Sequence, residues 1–315
     1  MSERTFDVIV IGAGPAGEVC AGRAAEGGLS VALVESELVG GECSFWACMP
    51  SKALLRPGEL LGEVRRVPGA AEAVTGSLDV PATLARRDVV VHHLDDSGQL
   101  PWLERRGIEL VRERGRLEAE RRVRAGDDVL VAERAVVVAT GTGALVPPID
   151  GLREADPWTN REITTATHVP PRLAILGGGV VGVEMAQAWR ALGAQVTLIE
   201  ATDRLIGREE EFAGELVADS LREVGVDLRL GFEATAVRRG GDGEVTIELE
   251  GGPAVVADEL VVAIGRGART DDLGVESVGL EPGKWIEVDD RMRATGVEGD
   301  WLYAVGDVNG RALLT

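Results

Sequence analysis

Short β-branched apolar runs, each closed by glycines and followed by apolar positions at helical spacing, set the pattern of this chain. The run Asp7–Ile11 meets GAGPAG, passes into EVCAGRAAEGG and ends in a second apolar run, SVALVES. A continuous apolar run between glycines predicts a strand buried on both faces, and the stretch after it predicts a helix. The whole order then returns. DVIVIGAGPAGEVCAGRAAEGGLSVALVES, from Asp7, and RLAILGGGVVGVEMAQAWRALGAQVTLIEA, from Arg172, lie on each other without a gap.

Each copy carries G-x-G-x-x-G between its strand and its helix: Gly12, Gly14 and Gly17 around Pro15 and Ala16, then Gly177, Gly179 and Gly182 around Val180 and Val181. Each also has an acid, Glu35 or Glu200, 18 residues after its last glycine. Strand before, helix after and acid at the end of the next strand make a dinucleotide-binding fingerprint. The first glycine permits the tight turn, the second admits the pyrophosphate, and the third lets helix pack on strand. The helix N-terminus faces the phosphates. Glu35 and Glu200 accept hydrogen bonds from ribose hydroxyls, and a carboxylate at 200 repels a 2′-phosphate, so NADH is expected to be preferred over NADPH. Arg204 tempers that preference. Two sites imply two nucleotides.

Between the copies a helical stretch is predicted from Pro81 to Arg106, then short strands over residues 107–141, whose alternation and turn residues read as a meander closing at Thr140-Gly141. Pro147-Pro148 and Pro170-Pro171 bracket a crossing into a second domain. A second meander over residues 226–267 ends on Ile264-Gly265.

The length of 315 residues suits two domains, and 45% apolar residues fill two cores. A formal charge of −20 argues against nucleic acid or an anionic membrane as partner. The N-terminus MSERTFDVIVIGAG holds an apolar run too short for a signal peptide or a membrane span, which gives a cytoplasmic expectation. Three cysteines and three histidines, none in C-x-x-C or H-x-x-x-H spacing, predict no metal site. Cys20 lies among Ala21, Ala24 and Ala25 and reads as a packed thiol, while His92, His93 and His168 read as surface or loop residues.

Redox chemistry is the reading for the other two cysteines, in GGECSFWACMPSKALL. Five residues of helix rise about 7.5 Å, beyond the roughly 7 Å between Cα atoms that a disulfide tolerates, so Cys43 and Cys48 bridge only if the segment is distorted. Pro50 supplies a reason for distortion, and a loop is expected from Gly40 into a helix carrying Ser51–Leu55. A strained bridge is easily reduced, and a thiolate near a helix N-terminus is stabilised. Lys52, one of only two lysines, stands four residues beyond Cys48.

GAGPAG with Glu35, GGECSFWACMPSKALL, VVVATG, GGGVVGVE, VVAIGRGARTDDLG and LYAVGDV, in this order, make the chain resemble the two-cysteine flavoprotein disulfide reductases, the group of dihydrolipoamide dehydrogenase, glutathione reductase and mercuric reductase. The resemblance implies FAD on the first unit, held by the first glycine motif, Glu35, Gly41, Lys52, Thr140, Gly141, Gly306 and Asp307, the last bonding the ribityl chain. It implies NAD on the second unit, held by the second motif, Glu200 and Gly265. Electrons then pass from nicotinamide through flavin to a Cys43–Cys48 disulfide, with Cys48 on the flavin side and Cys43 attacking substrate. Lys52 and Glu184 match a buried pair near the flavin.

The expected fold is therefore α/β, two Rossmann-like dinucleotide-binding domains each with a β-meander, the second inserted into the first. Its divisions are residues 1–150 for the FAD-binding domain with the redox pair, 151–275 for the NAD-binding domain, and 276–315 for the return. Two departures stand out. Phe45 and Ala47 hold places where the family commonly has Asn and Gly, with Trp46 between them, which leaves the acceptor open. Family members continue past the point matching Arg311–Thr315 into a dimerisation domain with a His–Glu pair, so the expectation is either a truncated product, which the apolar ending favours, or a natural short form; a homodimer is the expectation for the full-length family. The leading expectation is an NADH-dependent oxidoreductase acting on a disulfide or dithiol. The alternatives are a diaphorase or mercuric-reductase-like activity toward other small acceptors, or a flavoprotein fragment that does not turn over.

Overall fold

The computed structural model describes residues 2–314 and divides the chain into two compact units. The first is made of the stretches ending at Cys48, Val91–Gly143 and that beginning at Arg266; the second is Met49–Val90 with Ala144–Gly265.

The first unit opens with β1 (Glu3–Ile11), α1 (Pro15–Glu26) and β2 (Val31–Val34), followed by the short α2 (Gly41–Phe45). Helices α3 (Cys48–Arg65) and α4 (Val80–Val90) belong to the second unit apart from Cys48. The first unit resumes with α5 (Leu100–Arg105), β3 (Ile108–Val111), β4 (Gly115–Ala119), β5 (Arg122–Ala125), β6 (Asp128–Val138) and β7 (Thr142–Ala144). Its sheet runs β3-β2-β1-β6-β5-β4. Strands β3, β2, β1 and β6 are parallel, while β6, β5 and β4 pair antiparallel. Alternate residues feed two cores. Ile9, Ile11, Ala32, Val34, Val136 and Val138 enter one, and Val8, Val10, Val31, Leu33 and Val137 the other. Burial on both faces is what makes these strands read as unbroken apolar runs.

In the second unit, α6 (Asn160–Thr165) precedes β8 (Arg172–Leu176), α7 (Val180–Ala191) and β9 (Gln195–Glu200), the second copy of the repeat. Then come α8 (Glu211–Glu223), β10 (Asp227–Leu230), β11 (Ala234–Arg239), β12 (Val245–Leu249), β13 (Val255–Ala257) and β14 (Glu259–Val262). A parallel sheet β10-β9-β8-β14 lies beside an antiparallel one, β11-β12-β13. The chain returns to the first unit with β15 (Arg266–Ala268), in a two-stranded ribbon with β7, and with β16 (Leu302–Ala304), parallel to the C-terminal end of β6.

Three sequence expectations change. Each predicted meander is shorter than its segment, because β3, β10 and β14 are parallel strands of the main sheets and only the strands between them turn back on each other. The predicted 81–106 helix is two helices, α4 and α5, separated by a turn at His92–Leu94 whose three residues have positive φ. Finally, residues 49–90 group with the second unit rather than with residues 1–48, since Leu54, Leu55 and Leu84 share a core with Ile163, Ile175, Met185 and Trp189. The breaks at Gly143/Ala144 and Gly265/Arg266 correspondingly precede the expected 150/151 and 275/276.

Candidate functional sites on the two nucleotide motifs

The two glycine turns have the same geometry. Gly12 has φ +101° and Gly177 φ +111°, and a Cβ on either would stand 2.4 or 2.3 Å from the carbonyl oxygen of Ala139 or Ala263. A Cβ on Gly17 or Gly182 would meet the carbonyl of Gly12 or Gly177 at 1.9 Å, so helix and strand touch there backbone to backbone. The middle glycines differ. Nothing lies within 4 Å of a Cβ built on Gly14 or Gly179. That open ground at the helix N-terminus fits a pyrophosphate. Pro15 and Val180 begin the helices, where Pro costs no hydrogen bond.

Both acids reach back to their own glycine turn. Glu35 accepts from the Ala13 N–H at 2.7 Å through one oxygen and from the Glu37 N–H at 2.7 Å through the other. Glu200 accepts from the Gly178 N–H at 2.6 Å, and its other oxygen takes the Thr202 N–H and hydroxyl, each at 2.9 Å. A carboxylate has about four acceptor positions, so these bonds orient it and leave capacity for ribose hydroxyls. Arg204 donates to the Gly207 carbonyl at 2.6 Å.

Further residues of the first unit converge on its turn. A Cβ on Gly41 would meet Gly14 Cα at 2.7 Å, and one on Gly306 would meet Ala16 Cβ at 2.8 Å, so both glycines bring their segments against the loop. Asp307 is buried; its carboxylate accepts from the Thr142 hydroxyl at 3.2 Å and the Leu314 N–H at 3.0 Å. The buried hydroxyl of Thr140, beside Gly141, has no hydrogen-bond partner among the described residues, so a polar group of a bound cofactor fits there.

Cys43 lies inside α2, and Cys48 is the first residue of α3. The predicted distortion is present as a break at Trp46, which has φ −133° and ψ 1°. The expected loop from Gly40 is instead a single helical turn, with Gly40 at φ +117° leading into it. Phe45 is buried and serves packing; Trp46 is half-buried beside it, ring centroids 5.8 Å apart. Burial pushes the Cys20 thiol up, in keeping with a packed residue.

In the second unit, Lys52 Nζ lies 2.7 and 2.8 Å from the two Glu184 oxygens. The pair expected from sequence forms, but it is not buried. The Lys52 side chain is 62% exposed, because Ala53, Leu54 and Leu55 take the core side of α3 and leave Lys52 on the other. Val180 and Ile264 are exposed apolar residues at the second motif, with Val181 half-buried and Gly265 at φ +145°.

Sequence reasoning missed an ionic cluster in the first unit. Glu42, next to Cys43, accepts from Arg269 at 2.8 Å and lies 3.7 Å from Arg266, which donates to the Thr142 hydroxyl at 2.7 Å and carbonyl at 2.9 Å. The only signal was an acid immediately before a cysteine of the expected redox pair. Glu18 was also missed. Among the described residues, no group of His, Cys, Asp and Glu is placed to hold a metal, and no helix is long and apolar enough to cross a membrane.

Residues 6–314 match the family described as pyridine nucleotide-disulphide oxidoreductase. The chain is 31% identical over 317 residues to a dihydrolipoyl dehydrogenase of Acholeplasma laidlawii, covering 99% of this chain and 92% of that one. A mercuric reductase of Staphylococcus aureus is 31% identical, with 96% of this chain covering 56% of the relative. For a dihydrolipoyl dehydrogenase of Haloferax volcanii the identity is 34% and the shares are 96% and 65%. Among solved structures, the HOCl-induced flavoprotein disulfide reductase RclA from Escherichia coli superimposes with a TM-score of 0.85 at 25% identity, over 98% of this chain and 67% of that one.

Proposed function

The chain is a member of the pyridine nucleotide-disulphide oxidoreductase family, and on that premise we propose that it is an FAD-dependent enzyme carrying electrons from NADH to the Cys43–Cys48 pair and on to a disulfide or dithiol acceptor. The observation that carries the reading is the duplicated glycine turn, each copy with open ground at its middle glycine and an acid bonded back to the loop. FAD, when bound, accepts a hydride from NADH and hands two electrons to a disulfide.

The remaining roles belong to the protein. Glu35 and Asp307 hold the first nucleotide, with Gly41, Thr140, Gly141 and Gly306 shaping its bed. Glu200 and Gly265 serve the second. Lys52, fixed by Glu184, keeps a cation one helical turn beyond Cys48, where it favours negative charge developing nearby. Reduction of a Cys43–Cys48 disulfide by two electrons and one proton leaves one thiol and one thiolate, and a second proton, from solvent, completes the two product thiols. Cys43 as thiolate then attacks an external disulfide and releases one thiol, and Cys48 resolves the mixed disulfide and releases the second. A cytoplasmic setting, and the homodimer expected for the full-length family, complete the reading. The mercuric reductase relative supports a second one, in which the same pair delivers electrons to a metal ion.

Anaerobic NADH added to the FAD-loaded protein is expected to produce a long-wavelength charge-transfer absorbance that Cys48→Ser abolishes. Turnover assays with lipoamide, a low-molecular-weight disulfide and mercuric ion then separate the acceptors. A protein that takes up no FAD, or holds FAD and shows no such band with NADH, defeats the proposal.

A further inference from the structure

The cluster around Glu42 lies outside the nucleotide and cysteine roles given above. Glu42 and Arg266 have side chains only 10% and 9% exposed, and the guanidinium of Arg269 closes on Glu42 from the more open side. Arg266 also holds Thr142 through both its hydroxyl and its carbonyl, and the Thr142 hydroxyl is bonded to Asp307. A chain of ion pairs and hydrogen bonds therefore runs Arg269, Glu42, Arg266, Thr142, Asp307, all within the first unit. Its second member, Glu42, is covalently next to Cys43. Its last member is the carboxylate proposed to hold the ribityl chain. Glu37 adds a second carboxylate 3.8 Å from Arg269.

A half-exposed structural ion pair contributes little, whereas a carboxylate this deeply buried between two guanidinium groups is worth retaining only if both charges stay compensated. We propose that Glu42 is a positioning residue for the redox pair: clamped by Arg266 and Arg269, it fixes the α2 turn that carries Cys43 and sets the local charge against which Cys43–Cys48 is reduced. This rests on the redox reading of that pair. The reduced form carries the thiolate, so negative charge at 42 opposes reduction and positive charge at 269 favours it. A dithiol whose reduced form is stabilised makes a stronger oxidant.

The sign of the charge makes the test. The FAD-loaded protein is equilibrated in dithiothreitol buffers of stated ratio, in which one dithiol is oxidised for each Cys43–Cys48 disulfide reduced, and the thiols are trapped and counted by mass. Glu42→Gln is expected to move the equilibrium about tenfold toward the reduced pair, which is about 30 mV more positive for a two-electron couple. Arg269→Gln is expected to move it the other way by about threefold, a smaller factor because its partly exposed guanidinium is screened. Arg269→Lys keeps the charge and the wild-type equilibrium, and the double variant Glu42→Gln/Arg269→Gln falls between the singles. A role in folding alone would lower the melting temperature without opposite displacements. Should Glu42→Gln fail to fold, Arg269→Gln against Arg269→Lys still decides. Displacements of one sign, or none in folded protein, overturn the inference while leaving the redox reading intact. A wild-type pair that never titrates sinks both.

Discussion

Glu18 stands half-buried in the first turn of α1, and burial, with the negative charge of Glu35 added, raises its carboxyl from 4.5 to about 7. Between those values the folded protein binds more protons than the unfolded chain, so the contribution from neutral Glu18 is complete below pH 4.5 and lost as pH climbs through 7. Glu18→Gln, which stays neutral, is expected to be more stable than wild type by ~1–2 kcal/mol at pH 8 after allowance for screening at a half-buried site, and equal to it near pH 4. Urea melts at the two pH values check this; equal stability at pH 8 would show that Glu18 ionises freely. Asp96 runs the other way. Burial pushes its carboxyl up, but Arg112 and the Val39 N–H outweigh that and hold it below its usual value, so its contribution is lost as the solution is acidified.

Among the elements, α3 tests how far local rules reach. Pro57 lies inside it and cannot donate to the Ala53 carbonyl four residues earlier. Arg86 of α4 donates to that carbonyl instead, at 2.9 Å. Arg86→Ala is expected to cost ~1–2 kcal/mol, as for a lost hydrogen bond to a charged group, and to cost much less when Pro57→Ala restores the helix's own donor. Chemical denaturation of the four proteins of this cycle measures the difference; equal costs in both backgrounds would mean that Arg86 acts elsewhere. The same case shows what the sequence could and could not convey. The repeated strand, glycine turn, helix and acid were legible because each depends on residues within about thirty positions. Helix α3 was legible only as far as Leu55, because the partner that lets it continue past Pro57 lies in another element. The parallel pairing of β3, β10 and β14 was likewise hidden, since alternation marks a strand but not its partner. In the site, glycines and acids stood out by spacing, whereas Glu42, Arg266 and Arg269 are joined only by the fold.

For the molecule as a whole, the prediction concerns which nucleotide feeds it. Glu200 is fixed by Gly178 and Thr202, and Arg204 is turned onto Gly207; under the proposed function the second motif then offers a held carboxylate where a 2′-phosphate would need a cation. Flavin reduction at subsaturating cofactor is expected to be faster with NADH than with NADPH. Glu200→Gln, which can still accept from the loop, should narrow the ratio by roughly tenfold, the effect of one pKa-unit-sized charge interaction. Equal rates with both cofactors in wild type would remove Glu200 from cofactor selection.

Strand β16 joins the first sheet by pairing Leu302, Tyr303 and Ala304 with Val136, Val137 and Val138, and the entire run Ala144–Gly265 of the second unit lies between those partners in the chain. During synthesis, β6 is therefore finished long before the strand that covers its free edge. Until then its C-terminal end exposes unpaired backbone groups, an invitation to aggregation. If the second unit folds as it emerges, the loop to be closed shrinks from a long flexible segment to a few linker residues, and the entropy of closure falls with it. The insertion thus gives the order of assembly a direction: the inserted run Ala144–Gly265 first, the last strand of the first sheet after it.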